Sequence, residues 1–484
     1  MGSLASVHLE AQTENQADNL SAVKNAGSLD STNLDLQLVY GTYNNMISNI
    51  YFSQQKDDFV YFLSSSYKRS NDYGYRDQVF ENTSFSENSL EFSGNFSVDP
   101  TLTTIFEAGV DTDSRGMYNK ADYSREEKDK VLLTSKNVKK FSSMFESYLT
   151  FSSAFYKHRL DKRQEVLEDV KNSLTRYTGE TGGELIWSSS NRLKYSAQYT
   201  HYEYSSDIED DQYVQSEITD DFKISSYAAF TLGLNLAWNR DNGLFAWDVQ
   251  DLQLPVMPIA AMTFYGNEYY TAYLKCRYDL QPFRPEEYYY NQSYIYPTYD
   301  LPPAKVLNTE ARLDLIVTNI LSLKSTVNYR YSDNYYNYLP SEASENLLTA
   351  HPVNAHLLTY EFAGDVVVFP KTLSLTGGIK FLQYTAHENL TYHPGSSFDT
   401  VIRYTGPLFN IDWTNSYNGS VYIHPDADDK MDPALVGYLD VQIKTIETFY
   451  AYVRFENLYD SEYFVRDGYP EAGLSILGGL RILL

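Results

Sequence analysis

Leu321-Ser322-Leu323-Lys324-Ser325-Thr326-Val327-Asn328-Tyr329-Arg330-Tyr331 is the stretch that decides the fold. Leu321, Leu323, Val327, Tyr329 and Tyr331 alternate with Ser322, Lys324, Thr326, Asn328 and Arg330. A period of two puts the first set on one face of a strand and the second on the other. Strands of soluble sandwiches run about five or six residues, whereas about 9–11 cross a bilayer at a tilt. The spacing therefore predicts a membrane-crossing strand. Leu321, Leu323 and Val327 should face lipid, and Lys324, Asn328 and Arg330 should face a polar lumen.

The same pattern recurs outward from this stretch. Leu90, Phe92, Gly94, Phe96 and Val98 alternate with Glu91, Ser93, Asn95 and Ser97. Leu439, Val441 and Ile443 alternate with Asp440, Gln442 and Lys444, and Phe449, Ala451, Val453 and Phe455 with Tyr450, Tyr452, Arg454 and Glu456. The chain closes on Leu474, Ile476, Gly478, Leu480, Ile482 and Leu484, set against Ser475, Gly479 and Arg481. Cys276 is in phase with Ala272 and Leu274 and is expected on the lipid face. Residues 1–33 are polar and aperiodic and read as a flexible tail, leaving 34–484 as one barrel domain.

Short turns are expected at Gln54–Asp57, Asp99–Thr101, Phe151–Ser153, Ser189–Asn191, Ser225–Ala228, Gly266–Glu268, Thr318–Ile320, Pro370–Lys371, Trp413–Tyr417 and Thr445–Ile446. Longer polar loops are expected between them, at 113–137, 239–257, 280–306, 333–352, 387–398 and 459–472. Short turns on one side and long loops on the other are the asymmetry of outer-membrane barrels. Ten turns join twenty strands in hairpins, and one further strand at each end makes 22. The first strand is placed at about 34–43. The fold class is thus all-β, an antiparallel transmembrane barrel of about 22 strands.

Composition agrees. Mean hydropathy is −0.44, low because only every second strand residue need be apolar. There is no apolar run long enough for a helical span. The 46 Tyr suit strands and a membrane–water boundary. A formal net charge of −26 argues against a nucleic-acid partner. A single cysteine, Cys276, excludes an internal disulfide.

Candidate chemistry is sparse. His351 and His356 are five residues apart, a spacing that pairs them on neither a helix nor a strand face. Asp426, Asp428, Asp429 and Asp432 form an acidic knot, as do Asp207, Glu209, Asp210 and Asp211. Both read as solvated loop charge rather than a Ca²⁺ site. The loop from Arg284 carries Tyr288, Tyr289, Tyr290, Tyr294, Tyr296 and Tyr299. These rings are candidates for stacking on a solute at the barrel mouth; the competing reading is packing of a long loop over the lumen. No catalytic motif, metal site or cofactor site is expected.

The last sixty residues resemble TonB-dependent receptors. Pro433-Ala434-Leu435-Val436-Gly437-Tyr438-Leu439-Asp440-Val441 is similar to an antepenultimate strand of that family. Asn457-Leu458-Tyr459-Asp460-Ser461-Glu462-Tyr463 is similar to its Asn-Leu-aromatic-Asp stretch. Gly468 to Gly473 and Gly479 to Leu484 resemble its closing segment, with Gly479, Leu480, Ile482 and Leu484 as a C-terminal assembly signal. The family usually ends on Phe, where this chain has Leu484.

The resemblance implies an outer-membrane barrel that passes or imports a small solute. Its partners would be outer-membrane lipid, lipopolysaccharide and the barrel-assembly machinery. It also implies an N-terminal plug and a box for the energising protein, neither of which fits within residues 1–33. The expectation is a lumen closed by inward loops, notably 113–137 and 280–306, or by a separate plug or partner protein. The alternative is a plugless scaffold or sheath for a partner, with an outer-membrane enzyme a distant third.

Overall fold

A computed structural model describes residues 31–484 apart from 57–58, 77, 119–122, 163–168, 206–209, 241–242, 245–246, 250–251, 255–256, 267, 288–293, 297, 299–300, 342–343, 370–371 and 468. Its main sheet is a closed antiparallel barrel of 22 strands. The first seven are β1 Ser31–Gly41, β2 Met46–Lys56, β3 Phe59–Ser70, β4 Phe85–Asp99, β5 Leu102–Gly116, β6 Tyr123–Lys140 and β7 Phe145–Lys162. There follow β8 Val170–Ser188, β9 Asn191–Tyr204, β10 Asp211–Ser225, β11 Ala228–Asn239, β12 Met257–Gly266, β13 Tyr270–Gln281 and β14 Ala304–Thr318. The rest are β15 Leu321–Ser341, β16 Ser344–Phe369, β17 Leu373–Ala386, β18 Ser396–Thr405, β19 Phe409–Asn418, β20 Ala434–Ile446, β21 Phe449–Glu456 and β22 Ser475–Leu483. Each strand pairs with its sequence neighbours, and β22 pairs with β1 from Leu477↔Gly41 to Leu483↔Asp35.

The alternation of the sequence is the alternation of the wall. Leu38, Ile50, Leu63, Leu90, Leu133, Leu149, Ile218, Leu232, Leu274, Leu323, Ile379, Ile443 and Leu480 are all exposed, which forms an apolar belt around the barrel. A belt of that extent is stable only against lipid. Cys276 is exposed with it. The opposite face carries ion pairs: Lys194 with Asp221 at 2.8 Å and Arg454 with Asp440 at 2.7 Å join adjacent strands, and Arg277 on β13 reaches Glu217 on β10 at 2.8 Å. Thr326 is buried on that face, and Asn328 stands opposite Glu310.

Seven of the ten expected turns fall where strands meet, and the one expected at Pro370–Lys371 lies outside the described residues. The other two do not fall there. Phe151–Ser153 lies within β7 and Trp413–Tyr417 within β19; the turns are at Phe141–Met144 and Gly406–Leu408. Phe141, Met144, Tyr227, Tyr269, Ile320 and Leu408 are exposed apolar residues at turns. These tips sit at the membrane interface, so they lack the polar signature of a loop. The displaced turns leave the strand count at 22.

The other side is built differently. The expected loop 113–137 is mostly strand, with β5 running to Gly116 and β6 starting at Tyr123; 333–352 is likewise the end of the β15–β16 hairpin. On β6 and β7 the outer face changes from Val131, Leu133 and Phe155 to an exposed ion pair, Asp129–Lys157. That pair marks the upper edge of the apolar belt. Above it the outer face is charged, with Arg125, Glu127 and Arg159, so the period-two signal fades while the hydrogen-bond ladder continues. The first strand begins at Ser31, ahead of its expected start, and residues 1–30 of the expected tail lie outside the described residues.

Glycine closes the seam between β1 and β22. A Cβ on Gly479 would lie 2.0 Å from the Leu38 carbonyl oxygen, and one on Gly41 equally close to that of Ile476. On the lumen side Val39, Ile47, Tyr452 and Leu477 pack into a buried cluster over this close approach. Leu34 and Leu484 exchange backbone hydrogen bonds of 2.8 and 2.9 Å at its foot, and Arg481 bridges to Asp35 at 2.7 Å.

Candidate functional site

The connection between β13 and β14 turns inward as a strap, seen in its described residues 282–287, 294–296, 298 and 301–303. Phe283 and Ile295 are almost fully buried, together with Tyr336, Tyr338 and Leu348 of the β15–β16 hairpin and Tyr156, Leu174 and Tyr202 of the wall. Burying rings of this size against the inner wall supplies the main driving force for the inward path. Polar anchors fix its register. Glu286 pairs with Arg176 on β8, and the Tyr202 hydroxyl donates to the same carboxylate at 3.3 Å. The backbone N–H of Tyr296 donates to the Leu348 carbonyl at 2.7 Å, and the Tyr336 hydroxyl donates to the Pro302 carbonyl at 2.6 Å.

The far end of the strap reaches the wall at β5–β7. Tyr294 takes a positive φ of 65°. Its N–H donates to Glu126 Oε2 at 3.3 Å, and its ring stacks on Tyr469 at 3.8 Å. Glu126 is held by Lys128 at 3.2 Å and by His158 at 3.0 Å, all three buried. Arg115 lies beside them, paired with Asp113 at 2.7 Å and Glu87 at 3.1 Å. Burial pushes the Glu126 carboxyl up, but Lys128 and His158 outweigh it and hold the group at about 2. Burial pushes the His158 imidazole down despite its bond to Glu126. The strap is therefore anchored on a permanent carboxylate.

Three more loops complete the cap. In the β17–β18 loop Leu390, Thr391 and Tyr392 are buried, and the Thr391 N–H donates to Asn337 Oδ1 at 2.9 Å. In the β19–β20 loop Val421 is buried in the same cluster. The β21–β22 loop brings Arg466, whose guanidinium lies 5.2 Å from the Tyr338 ring and 4.6 Å from the Tyr392 ring. This last loop explains the Asn457-to-Tyr463 stretch. Asn457 and Asp460 both have φ near 50°. Asn457 Nδ2 donates to the carbonyls of Ser461 and Ala472, and the Leu474 N–H donates to Asp460. Tyr459 packs on Gly437, where a Cβ would come within 2.7 Å of its ring. The motif is a clasp for the loop.

Beneath the strap is a chamber of about 600 Å³, within the range of small-molecule sites. Its wall carries Gln198, Gln215, Glu217, Asn235, Arg277, Asp279 and Arg330; its roof carries Tyr335, Tyr336, Tyr338, Tyr392, His393 and Arg466. Arg277 is neutralised by Glu217 and Asp279, both at 2.8 Å. The Tyr335 hydroxyl and His393 Nε2 are 2.6 Å apart, and His393 Nδ1 is 2.7 Å from the Thr391 carbonyl. Burial holds the His393 imidazole down at about 4 against the pull of that carbonyl. The ring is neutral, with Nδ1 donating and Nε2 accepting.

Of the six tyrosines singled out in the strap, Tyr294 is packed against Tyr469, and Tyr296 packs on the cluster around Met117 and Leu160. Tyr288, Tyr289, Tyr290 and Tyr299 lie outside the described residues. His351 bonds Glu388 at 2.6 Å, whereas exposed His356 bonds the Tyr329 hydroxyl at 2.8 Å, so the two histidines do not meet. Asp211 accepts from the Tyr204 hydroxyl at 2.9 Å; Asp207 and Glu209 fall outside the described residues. The Asp429 carbonyl closes the small hairpin of the β19–β20 loop on Ile423. Among the described residues no three metal-binding side chains converge. The sequence reading missed the roof. Tyr335, Tyr336 and Tyr338 follow directly on the decisive stretch and were visible as a Tyr cluster, but nothing local marks Arg466 or His393.

The architecture is that of TonB-dependent receptor barrels of the bacterial outer membrane. No protein-family model matches the chain, and no curated protein does. Solved structures do. The FrpB iron transporter from Neisseria meningitidis superposes with a TM-score of 0.73 at 9% identity, covering 96% of this chain and 82% of that one. The siderophore receptor PirA from Acinetobacter baumannii gives 0.72 at 9% identity, covering 94% and 80%. The copper transporter OprC gives 0.71 at 11%, covering 94% and 81%. At these identities the likeness is one of fold.

Proposed function

We propose that this chain is a gated transport barrel, in which the strap 282–303 closes the lumen and a small solute passes by way of the chamber beneath it. The observation that carries this reading is the burial of Phe283, Glu286, Tyr294 and Ile295 against inward-facing wall residues. Twenty-two strands about 4.8 Å apart at a tilt near 40° enclose a backbone diameter of roughly 44 Å. A hole of that width would leak, so something must fill it. The strap and the loops around it occupy the extracellular mouth. Below it the wall is lined with paired charges, among them Arg454–Asp440 and Arg481–Asp35, against which a separate plug or partner segment would pack. We assign the outward row Leu480, Ile482 and Leu484, beside Gly479, to recognition by the barrel-assembly machinery.

Proteoliposome uptake tests the transport reading. Vesicles bearing the whole protein should exclude arabinose, and vesicles bearing a strap-shortened variant should admit it. Equal uptake by both would contradict gating. A second chain that co-purifies from native membranes and alone blocks the pore would favour the scaffold reading.

A further inference from the structure

We propose that the chamber is a binding site for a small planar anion, an aromatic ring bearing a carboxylate or phosphate, with Arg330 as its charge-recognising residue. The inference rests on the transport reading and names the solute class of the same site.

The arginines of the chamber are not equivalent. Arg277 is bracketed by Glu217 and Asp279, and Arg284 pairs with Glu287 at 2.9 Å. Arg330 donates instead to the neutral amide oxygen of Gln281 at 2.7 Å, and its guanidinium lies 5.7 Å from the Tyr335 ring. Among the described residues it has no carboxylate within ion-pair distance. A guanidinium positioned by an amide and a ring, with no carboxylate on it, presents a planar fork of donors, the arrangement that takes an oxyanion in two hydrogen bonds. Arg466, set between the Tyr338 and Tyr392 rings, lines the same chamber and adds positive potential there. His393 is neutral and fixed between Tyr335 and Thr391, so it does not compete as a cation. Tyr336, Tyr338 and Tyr392 are buried in the cap, which leaves half-buried Tyr335, beside Arg330, as the roof ring against which a planar solute can pack. The chamber's four carboxylates, Glu180, Glu217, Asp279 and Glu287, formally balance its four arginines, so the positive charge offered to a solute is local to Arg330.

Titration calorimetry on the detergent-purified whole chain tests this with benzoate, phenyl phosphate, benzyl alcohol and benzylamine as probes. Benzoate or phenyl phosphate should bind at least about tenfold more tightly than benzyl alcohol, and benzylamine should not bind. Arg330→Gln should remove that preference, Arg330→Lys should restore part of it, and Lys380→Gln, on the wall outside the chamber, should leave it intact. Heat-modifiable migration on a gel identifies which variants are folded. Equal binding of anion and alcohol, or an unchanged preference in folded Arg330→Gln, would overturn the proposal. That failure leaves the gating result from proteoliposomes untouched, so the two readings fail separately. A preference for phenyl phosphate over benzoate, or the reverse, identifies the oxyanion.

Discussion

The backbone N–H of Tyr294 donates to the Glu126 carboxylate at 3.3 Å, joining a loop between β13 and β14 to the inner wall at β6. These elements are separated by about a third of the barrel's circumference, so the bond reports that the strap crosses the mouth. Glu126→Gln removes the carboxylate that buried Lys128 pairs with at 3.2 Å. Breaking a buried pair in this way costs about 3–5 kcal/mol. The expected outcome is a looser strap, seen as faster hydrogen exchange at 294–298 with unchanged exchange in β19–β21.

Glu471, in the β21–β22 loop, gives the cap a pH dependence. Burial raises its carboxyl to about 7 against the pull of Arg115 and Lys68. A carboxyl raised in the folded state stabilises fully below its unfolded value near 4.5, and the contribution is lost as pH climbs through 7. His158 and His393, lowered by burial, work in the opposite sense and cost stability as pH falls below about 6.5. Glu471→Gln should therefore abolish the loosening of the loop between pH 5 and about 8 while keeping the acid-side loss. Limited proteolysis of residues 457–474 across pH measures this; a variant with the wild-type profile would contradict it.

The register of the wall predicts unequal costs for the same substitution. Leu323 faces lipid, whereas Asn328 faces the lumen opposite Glu310. Leu323→Arg should cost about 2–4 kcal/mol, and Asn328→Arg far less. Refolding titrations into phospholipid vesicles give both values.

At the seam, adjacent glycines should behave oppositely. A Cβ at Gly479 meets the Leu38 carbonyl oxygen at 2.0 Å, while one at Gly478 has nothing within 4 Å. Gly479→Ala should impair closure and lower the yield of the heat-modifiable folded form, and Gly478→Ala should fold normally.

The barrel was legible in the sequence because one physical rule, alternate burial against lipid and lumen, governs every crossing strand. It failed where that rule stops. Ser152 and Ser153 in β7, and Thr414 to Ser416 in β19, are polar side chains within strands that imitate turn chemistry, whereas the true turns at Phe141 and Leu408 are apolar because they touch the interface. Arg125, Glu127 and Asp129 concealed the upper part of β6, since both of its faces meet water or cap. The chamber was legible only in part. Arg330 stood in the decisive stretch, but its neighbours Tyr392, His393 and Arg466 come from distant loops that pairing alone brings together.

Single-channel conductance in planar bilayers tests the strap most directly. The whole chain, purified alone, should show a closed or sub-nanosiemens state, and shortening residues 286–300 to a brief Gly-Ser link should open it to a steady nanosiemens-scale pore. An intact chain that conducts permanently at the level of the strap-shortened variant would contradict the account.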